Sequence, residues 1–286
     1  MAYGTKEVVR MRYSKRYTIL FSAAVCGFFA ILVTGSAVLL KDRQEQNQRL
    51  DRIRNILQVA GYVDADRKLS REQIFKVYEQ NIEPLLVDLK TGEVVTGLDP
   101  DSWDPRAAVN DKALSVSAPP NRAGIVRVPK TALVFVLKSR DEQSAGGTDQ
   151  PGKSRAGISG LLLPIEGKGL WSTLYGYIAL EADLNTIRGI TYYQHGETPG
   201  LGGEVENPRW KNGFHGKKLF DRAGRMAFKV VKGRAGDDPF KVDSISGATI
   251  TSNGVTHMID FWMGKNGFGP FLKRIGKRTG RAADGE

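Results

Sequence analysis

Three textures of apolar and polar positions alternate along the chain. The first is a run: residues 17–40 carry no charge for 24 positions, with Arg16 and Lys41 as brackets. As an α-helix such a stretch is about 36 Å long, enough to cross a hydrocarbon core with some tilt. Gly27, Gly35, Ser22 and Ser36 give it small faces on which another membrane helix can pack. The run is too long for the apolar part of a cleaved signal peptide and no clear A-x-A site follows it, so it predicts a retained anchor. The second texture has helical spacing. Leu50, Ile53, Leu57 and Ala60 recur at that period with Gly61 as a stop, and Ser70-Arg71-Glu72-Gln73 forms a capping box ahead of Ile74, Val77 and Tyr78.

The third texture, from Pro84, is that of strands. Residues 85–89 and 93–95 flank a turn at Lys90-Thr91-Gly92, and 131–137 is a further apolar strand. Residues 139–157 are polar and rich in Gly and Ser, which predicts a surface loop. Residues 161–165 predict a short buried strand ended by Gly167-Lys168-Gly169. Residues 174–180 and 187–193 continue the sheet, the last running directly into His195. Residues 204–210 read as a short helix or irregular turn, and 227–231 as a strand turned by Lys232-Gly233. Val255, Met258, Ile259, Phe261 and Trp262 then share one helical face, and Gly267-Phe268-Gly269-Pro270 breaks the chain before a basic helical tail. Strands joined by turns, with helices segregated from them, predict an α+β fold with a mainly antiparallel sheet and flanking helices. The expected divisions are 1–16, a short N-terminus; 17–40, a transmembrane helix; 41–83, a helical connector; 84–270, one α+β domain; and 271–286, a basic tail.

Charge changes the picture in one respect. The net charge of +11 invites a nucleic-acid partner, yet ten Lys/Arg against four Asp/Glu lie in residues 1–60 and five against two in 271–286. Between them the balance is nearly neutral. Basicity beside a membrane segment and in a tail suits anionic lipid headgroups, not a phosphate backbone, so nucleic acid is excluded as a partner. Positive residues near the two ends of the apolar run are tied, and charge does not set its orientation. The single cysteine, Cys26, lies inside that run, so neither a disulfide within the chain nor a Cys-based metal site can form. With three histidines, His195, His215 and His257, and no matching Cys, no protein-bound metal is expected.

Candidate chemistry concentrates in Asp243-Ser244-Ile245-Ser246-Gly247-Ala248-Thr249-Ile250-Thr251-Ser252-Asn253-Gly254-Val255. Small residues and hydroxyls crowd just before the apolar helical face. Ser and Thr at such a junction can cap orphan N–H groups, and a helix start with little bulk is an anion seat. Gly247 and Ala248 would let a phosphate approach the backbone, and Thr251 offers a hydroxyl near the first turn. The residues alone leave both readings open: a capped turn with nothing bound, or an anion site.

Ser246-Gly247-Ala248-Thr249-Ile250-Thr251 resembles the S-G-A-T-x-T flavinylation motif. His195-Gly196-Glu197-Thr198-Pro199-Gly200-Leu201-Gly202-Gly203-Glu204, Gly167-Lys168-Gly169-Leu170-Trp171 and Glu206-Asn207-Pro208-Arg209-Trp210 are further pieces of one family. In this order, behind an apolar N-terminal helix, they resemble the FMN-binding C-subunit family of the Na+-translocating NADH:quinone oxidoreductases over most of the chain.

The resemblance implies FMN bound covalently through a phosphoester on Thr251, with Thr249 and Ser252 as competing hydroxyls. It implies a separate flavin transferase that uses FAD as donor with Mg2+. Once made, the bond needs no local base, which agrees with a sequence that places no His or Asp beside Thr251. The Glu197-to-Gly202 turn, with glycines at 200 and 202, would offer backbone N–H groups to the flavin, with Thr198 hydrogen-bonding the ring and Leu201 packing on its face. Trp171 would wall one side of the ring, or else be core. Lys232 would sit near the flavin's N1–C2=O edge, or else be a solvated surface residue.

The implied role is an electron carrier in a Na+-translocating NADH:ubiquinone reductase of the bacterial inner membrane. Other membrane subunits would be its partners, NADH oxidation and the sodium path would lie with them, and the FMN domain would stand on the periplasmic side. Two rivals are the related flavinylated G protein of the RNF electron-transport complex and a non-catalytic anchored assembly protein. The Gly-Lys-Gly-Leu-Trp and Glu-Asn-Pro-Arg-Trp pieces favour the quinone reductase over the first.

Overall fold

The structure is a computed structural model that describes residues 14–63, 69–139 and 158–278. Nearly all of the polar 139–157 segment, and the end of the basic tail, therefore lie outside the described residues. The chain divides into two units, Met1–Asp51 and Arg52–Glu286. In the first, helix α1 (Lys15–Val59) begins, and its segment Lys15–Lys41 is long and apolar enough to cross a membrane, with no side chain buried in the protein. The last turns of α1 belong to the second unit, where Ile53, Ile56, Leu57 and Val59 are buried.

The second unit is built on a five-stranded sheet in the order β1-β4-β5-β6-β7, antiparallel throughout. Its strands are β1 (Ile82–Asp88), β4 (Thr131–Lys138), β5 (Ile158–Lys168), β6 (Thr173–Glu181) and β7 (Ile187–Gln194). Helix α2 (Arg71–Asn81) leads directly into β1, whose Pro84 is tolerated because β1 is an edge strand. Helix α3 (Pro105–Asn110) and a small hairpin, β2 (Ser115–Ser117) with β3 (Arg127–Pro129), lie between β1 and β4 and carry no clear pattern in the sequence. After β7 come a 3-10 turn at Gly202–Glu206, α4 (Pro208–Asn212), a two-stranded parallel pair of β8 (Lys229–Val231) with β9 (Lys241–Asp243), α5 (Thr249–Met263) and α6 (Gly269–Arg278).

Both faces of the sheet are covered, and this sets the texture of its strands. One face, with Val134, Val136, Leu161, Leu163, Ile178 and Ile190, packs in one cluster with Val255, Met258, Ile259 and Trp262 of α5. Phe135, Leu137, Leu162 and Tyr177 are buried as well, at the alternate positions and so on the opposite face. There Gly189 approaches the Val59 carbonyl, and the Arg188 guanidinium donates to Ala60 O. A strand with no wet face reads as an unbroken apolar run instead of alternating, as residues 131–137 do.

Two expectations are corrected. Residues 93–95 form no strand; they fold back on β1 through one bridge, Val87 to Val94, before the chain turns away. Gly167-Lys168 does not end β5, which runs through Lys168. The glycine marks close packing instead of a break, since a Cβ on Gly167 would lie 2.7 Å from Met258 Cβ of α5.

Candidate functional site

Antiparallel pairing brings three loops to one end of the sheet. The β5–β6 turn, residues 169–172, lies beside the end of β7 because Lys168 pairs with Thr173 and Tyr175 with Gln194. Gly196 N–H accordingly donates to Ser172 Oγ at 2.7 Å. The third loop, 244–248, enters α5, whose first turns press on the backbone of β5: a Cβ on Gly254 would stand 2.2 Å from the Lys168 carbonyl oxygen. Further along the helix, Trp262 Nε1 donates to Glu166 O at 2.7 Å. Helix α5 is thus seated by main-chain contact that only glycine permits at 254.

At the meeting point the Thr251 hydroxyl donates to Glu197 Oε2 at 2.7 Å. The same carboxylate accepts from the N–H groups of Trp171 (2.9 Å) and Ser172 (3.1 Å) on Oε1, and of Leu170 (3.2 Å) on Oε2. Thr251 is 1 % exposed and Glu197 5 %. Burial by itself pushes the Glu197 carboxyl up, but the Thr251 hydroxyl and the three amides outweigh it and hold the group below the usual carboxylate range. Glycines make room for it. A Cβ on Gly169 would fall 2.6 Å from Glu197 Oε1, and one on Gly202 would fall 2.4 Å from Oε2 and 2.8 Å from Thr251 Oγ1. His195 supports the loop from behind, its Nδ1 accepting from Glu197 N–H at 3.2 Å.

The neighbour that Thr251 has is the Glu197 carboxylate, a contact the motifs did not draw. The sequence separates the two residues by 54 positions, and no spacing rule links them. The hydroxyl-rich junction also fails to cap its helix. The N-cap is Ala248, without a side-chain hydrogen bond, and α5 starts at Thr249. Thr251 is turned to Glu197, and Ser252 Oγ instead accepts from Ile245 N–H at 3.0 Å, pinning the loop. The first N–H groups of α5 are therefore left without a side-chain cap.

The predicted site residues divide accordingly. Ser246, Gly247, Ala248, Thr249 and Thr251 lie on the loop and first turn of α5, with Gly247 in the left-handed region at φ 72°. Glu197, Thr198, Gly200 and Leu201 form the facing turn, where Thr198 O accepts from Leu201 and Gly203 N–H. Leu201 reaches the other loop: a Cβ on Gly247 would meet Leu201 Cδ2 at 3.0 Å. Trp171 is 68 % exposed, which removes the core alternative for it. Leu170, Leu201 and Ile250 are also exposed and, with Trp171, give the rim of the buried hydroxyl an apolar character. Lys232 is not drawn into this hydrogen-bond cluster; it is exposed, one residue beyond Val231, whose carbonyl accepts from Ser244 N–H. Sequence reasoning missed the strut beneath the loop, where Trp210 Nε1 donates to Asp243 O at 2.8 Å from a helix capped by Asn207. A separate hollow of about 210 Å³, lined by Arg106, Glu166, Tyr175 and Tyr193 among others, contains none of the predicted residues.

The three loops and α5 lie within residues 169–264, and this stretch matches the FMN-binding domain family. The C subunit of the Na(+)-translocating NADH-quinone reductase of Yersinia pestis is 42 % identical over 261 residues, covering 90 % of this chain and 92 % of its own. The C subunit of Vibrio anguillarum is 44 % identical, over 91 % and 93 % of the two chains. That of Pseudomonas aeruginosa is 40 % identical, over 91 % and 95 %. Among solved structures, Shewanella oneidensis NqrC superposes with a TM-score of 0.69 at 33 % identity, covering 81 % of this chain and 99 % of that one. The C subunit from Parabacteroides distasonis gives 0.57 at 31 % identity, over 82 % and 96 %. The chain belongs to the C-subunit (NqrC) family of the Na+-translocating NADH-quinone reductases.

The residues present fit FMN. The helix start has uncapped amides for a phosphate, and exposed Leu201 and Trp171 offer apolar contact.

Proposed function

We propose that Thr251 carries FMN through a phosphoester bond, and that the chain is a membrane-anchored electron relay of the Na+-pumping NADH:quinone reductase. The observation that carries this reading is the position of Thr251: a buried hydroxyl under an uncapped helix start, where three loops converge and exposed apolar side chains ring it. Of the competing hydroxyls, Ser252 is committed to Ile245 N–H, and Thr249 is exposed on the first turn, outside the Glu197 cluster. A phosphate loses one of its ionisations on esterification, so open amides suffice and no Arg or Lys cluster is needed. The FMN supplies the redox chemistry when bound; the chain supplies position and electrostatics. Thr251 and the α5 start hold the phosphate end, Leu201 and Trp171 bracket the ring, and the 198–202 turn offers amides to its polar edge.

A covalent tether gives permanence on the periplasmic side of the inner membrane, where lost FMN is not readily replaced. The Lys15–Lys41 helix serves as anchor among lipid and neighbouring membrane subunits. NADH oxidation and the sodium path lie with those subunits, so the chain is not active alone. A flavin transferase installs the cofactor. The test is intact mass of the full chain coexpressed with that transferase: a gain of one FMN less water on Thr251 is expected, and Thr251→Val abolishes both it and the fluorescent band on a denaturing gel. A band that still fluoresces in the variant overturns the attachment point. A colourless wild-type chain without added mass returns the protein to the reading as an anchored assembly protein.

A further inference from the structure

Holding a flavin does not by itself account for the partner that Thr251 Oγ already has. Glu197 is fastened on both oxygens by three backbone amides, leaving its Oε2 one direction in which to accept, and the Thr251 hydroxyl occupies it at 2.7 Å. We propose that Glu197 is a catalytic residue of this chain's own maturation, orienting the Thr251 hydroxyl and taking its proton as Oγ attacks the flavin-bearing phosphorus of a flavin dinucleotide. The inference rests on the reading that Thr251 is the attachment point.

The step balances without an oxidant or reductant. The bond from Thr251 Oγ to the phosphorus of the FMN half forms, and the bond from that phosphorus to the bridging oxygen of the pyrophosphate breaks. AMP leaves with the bond's electron pair. The hydroxyl proton passes to Glu197 Oε2 and from there to water. Metal and transferase activate the pyrophosphate; the acceptor chain brings its own aim.

A carboxylate held below its ordinary range is a weak base, which at first argues against the role. Phosphoryl transfer resolves the difficulty. Its transition state is loose, the nucleophile keeps its proton until late, and an aspartate serves kinases in the same position. The requirement is a lone pair of Oγ directed at phosphorus, and a fixed acceptor on the hydroxyl hydrogen provides that. The carboxylate's rigidity follows from the β5–β6 turn: its amides at 170, 171 and 172 converge on one point only because Gly169 leaves space for Oε1.

The purely structural account makes Glu197 a clip between the 195–198 and 169–172 loops. The two roles separate in a maturation assay on the purified full chain in detergent, with purified transferase, FAD and Mg2+, read by intact mass. Glu197→Gln keeps size and one oxygen to accept from the Trp171 and Ser172 amides, but puts an NH2, which cannot accept, where Oε2 meets Thr251 Oγ and Leu170 N–H. The expected result is a kcat for the acceptor chain lower by about 100-fold, with KM near wild type, measured at a temperature where both chains are folded. Glu197→Asp keeps the charge one methylene shorter, and is expected to recover part of that loss. Glu197→Gln modified at the wild-type kcat, or a loss confined to KM, overturns the proposal. Should the Gln variant fail to fold, the Asp variant decides: a wild-type rate overturns the role and a reduced kcat at unchanged KM supports it. Failure of the underlying reading looks different, since wild-type chain would then gain no FMN, or Thr251→Val would gain as much as wild type.

Discussion

Helices α2 and α5 both begin at residues that the sequence marks as caps, and they begin in opposite ways. At α2, Ser70 accepts from Gln73 N–H while the Gln73 side chain accepts from Ser70 N–H, a reciprocal box that satisfies the helix start. At α5, five hydroxyl residues between 244 and 252 provide no cap. Thr251 and Ser252 are turned inward, to Glu197 and to Ile245 N–H. Hydroxyl content near a helix start therefore does not measure capping. α2 is closed by its own side chains because its task is to cover the sheet. α5 is held by packing at Gly254 and Trp262, and its first amides have no side-chain cap, which is what the proposed phosphate seat requires.

Three measurements put this contrast at risk. The largest effect is expected from Gly254→Ala. Its Cβ would fall 2.2 Å from the Lys168 carbonyl, so α5 must shift off β5. A loss of about 1–3 kcal/mol is expected from such overpacking, read as a lower melting temperature together with reduced flavin incorporation; an unchanged melt would mean that α5 is not seated by this contact. Next comes Ser70→Ala, which removes the box of α2. It is expected to cost about 1 kcal/mol and to leave FMN incorporation unchanged. Loss of flavin in that variant would show that the two helix starts are not independent.

The slightest effect is in pH. Because the Glu197 carboxyl lies below its ordinary value in the folded apo chain, its ionised form contributes stability. That contribution is complete above the usual carboxylate range and is lost as pH falls through the depressed folded value. Melting temperatures of wild type and Glu197→Gln, measured in parallel between neutral pH and pH 4, should converge toward the acid end. A constant gap across the range contradicts the assigned ionisation.

Much of the sheet was legible because its long strands are apolar on both faces and end at turns that glycine and polar residues announce. The short pieces were not. β2, β3 and β9 have three residues each and are placed by their partners, with too few positions for any period to show. Gly167 was misread as a terminator because glycine has two uses in strands, stopping them and admitting a neighbour, and only the position of Met258 distinguishes them. For the site, motifs located both loops and the helix start, including Thr251 and Glu197. They could not reveal that these two touch. That contact depends on the register of β5, β6 and β7 and on the seating of α5, which are tertiary facts. Trp171 shows the same limit from the other side: its place after a glycine-rich turn left ring wall and core both open, and only the outward projection of the turn removes the second.

The glycines at 167, 169, 202 and 254 share a further consequence. Each fixes a distance by having no side chain, so the dimensions of the cradle are written in main chain. A saturation scan of this domain should therefore find its most intolerant positions where there is nothing to truncate. An alanine scan, which reads these sites as gains of a methyl and not as losses, would be the more informative survey for once.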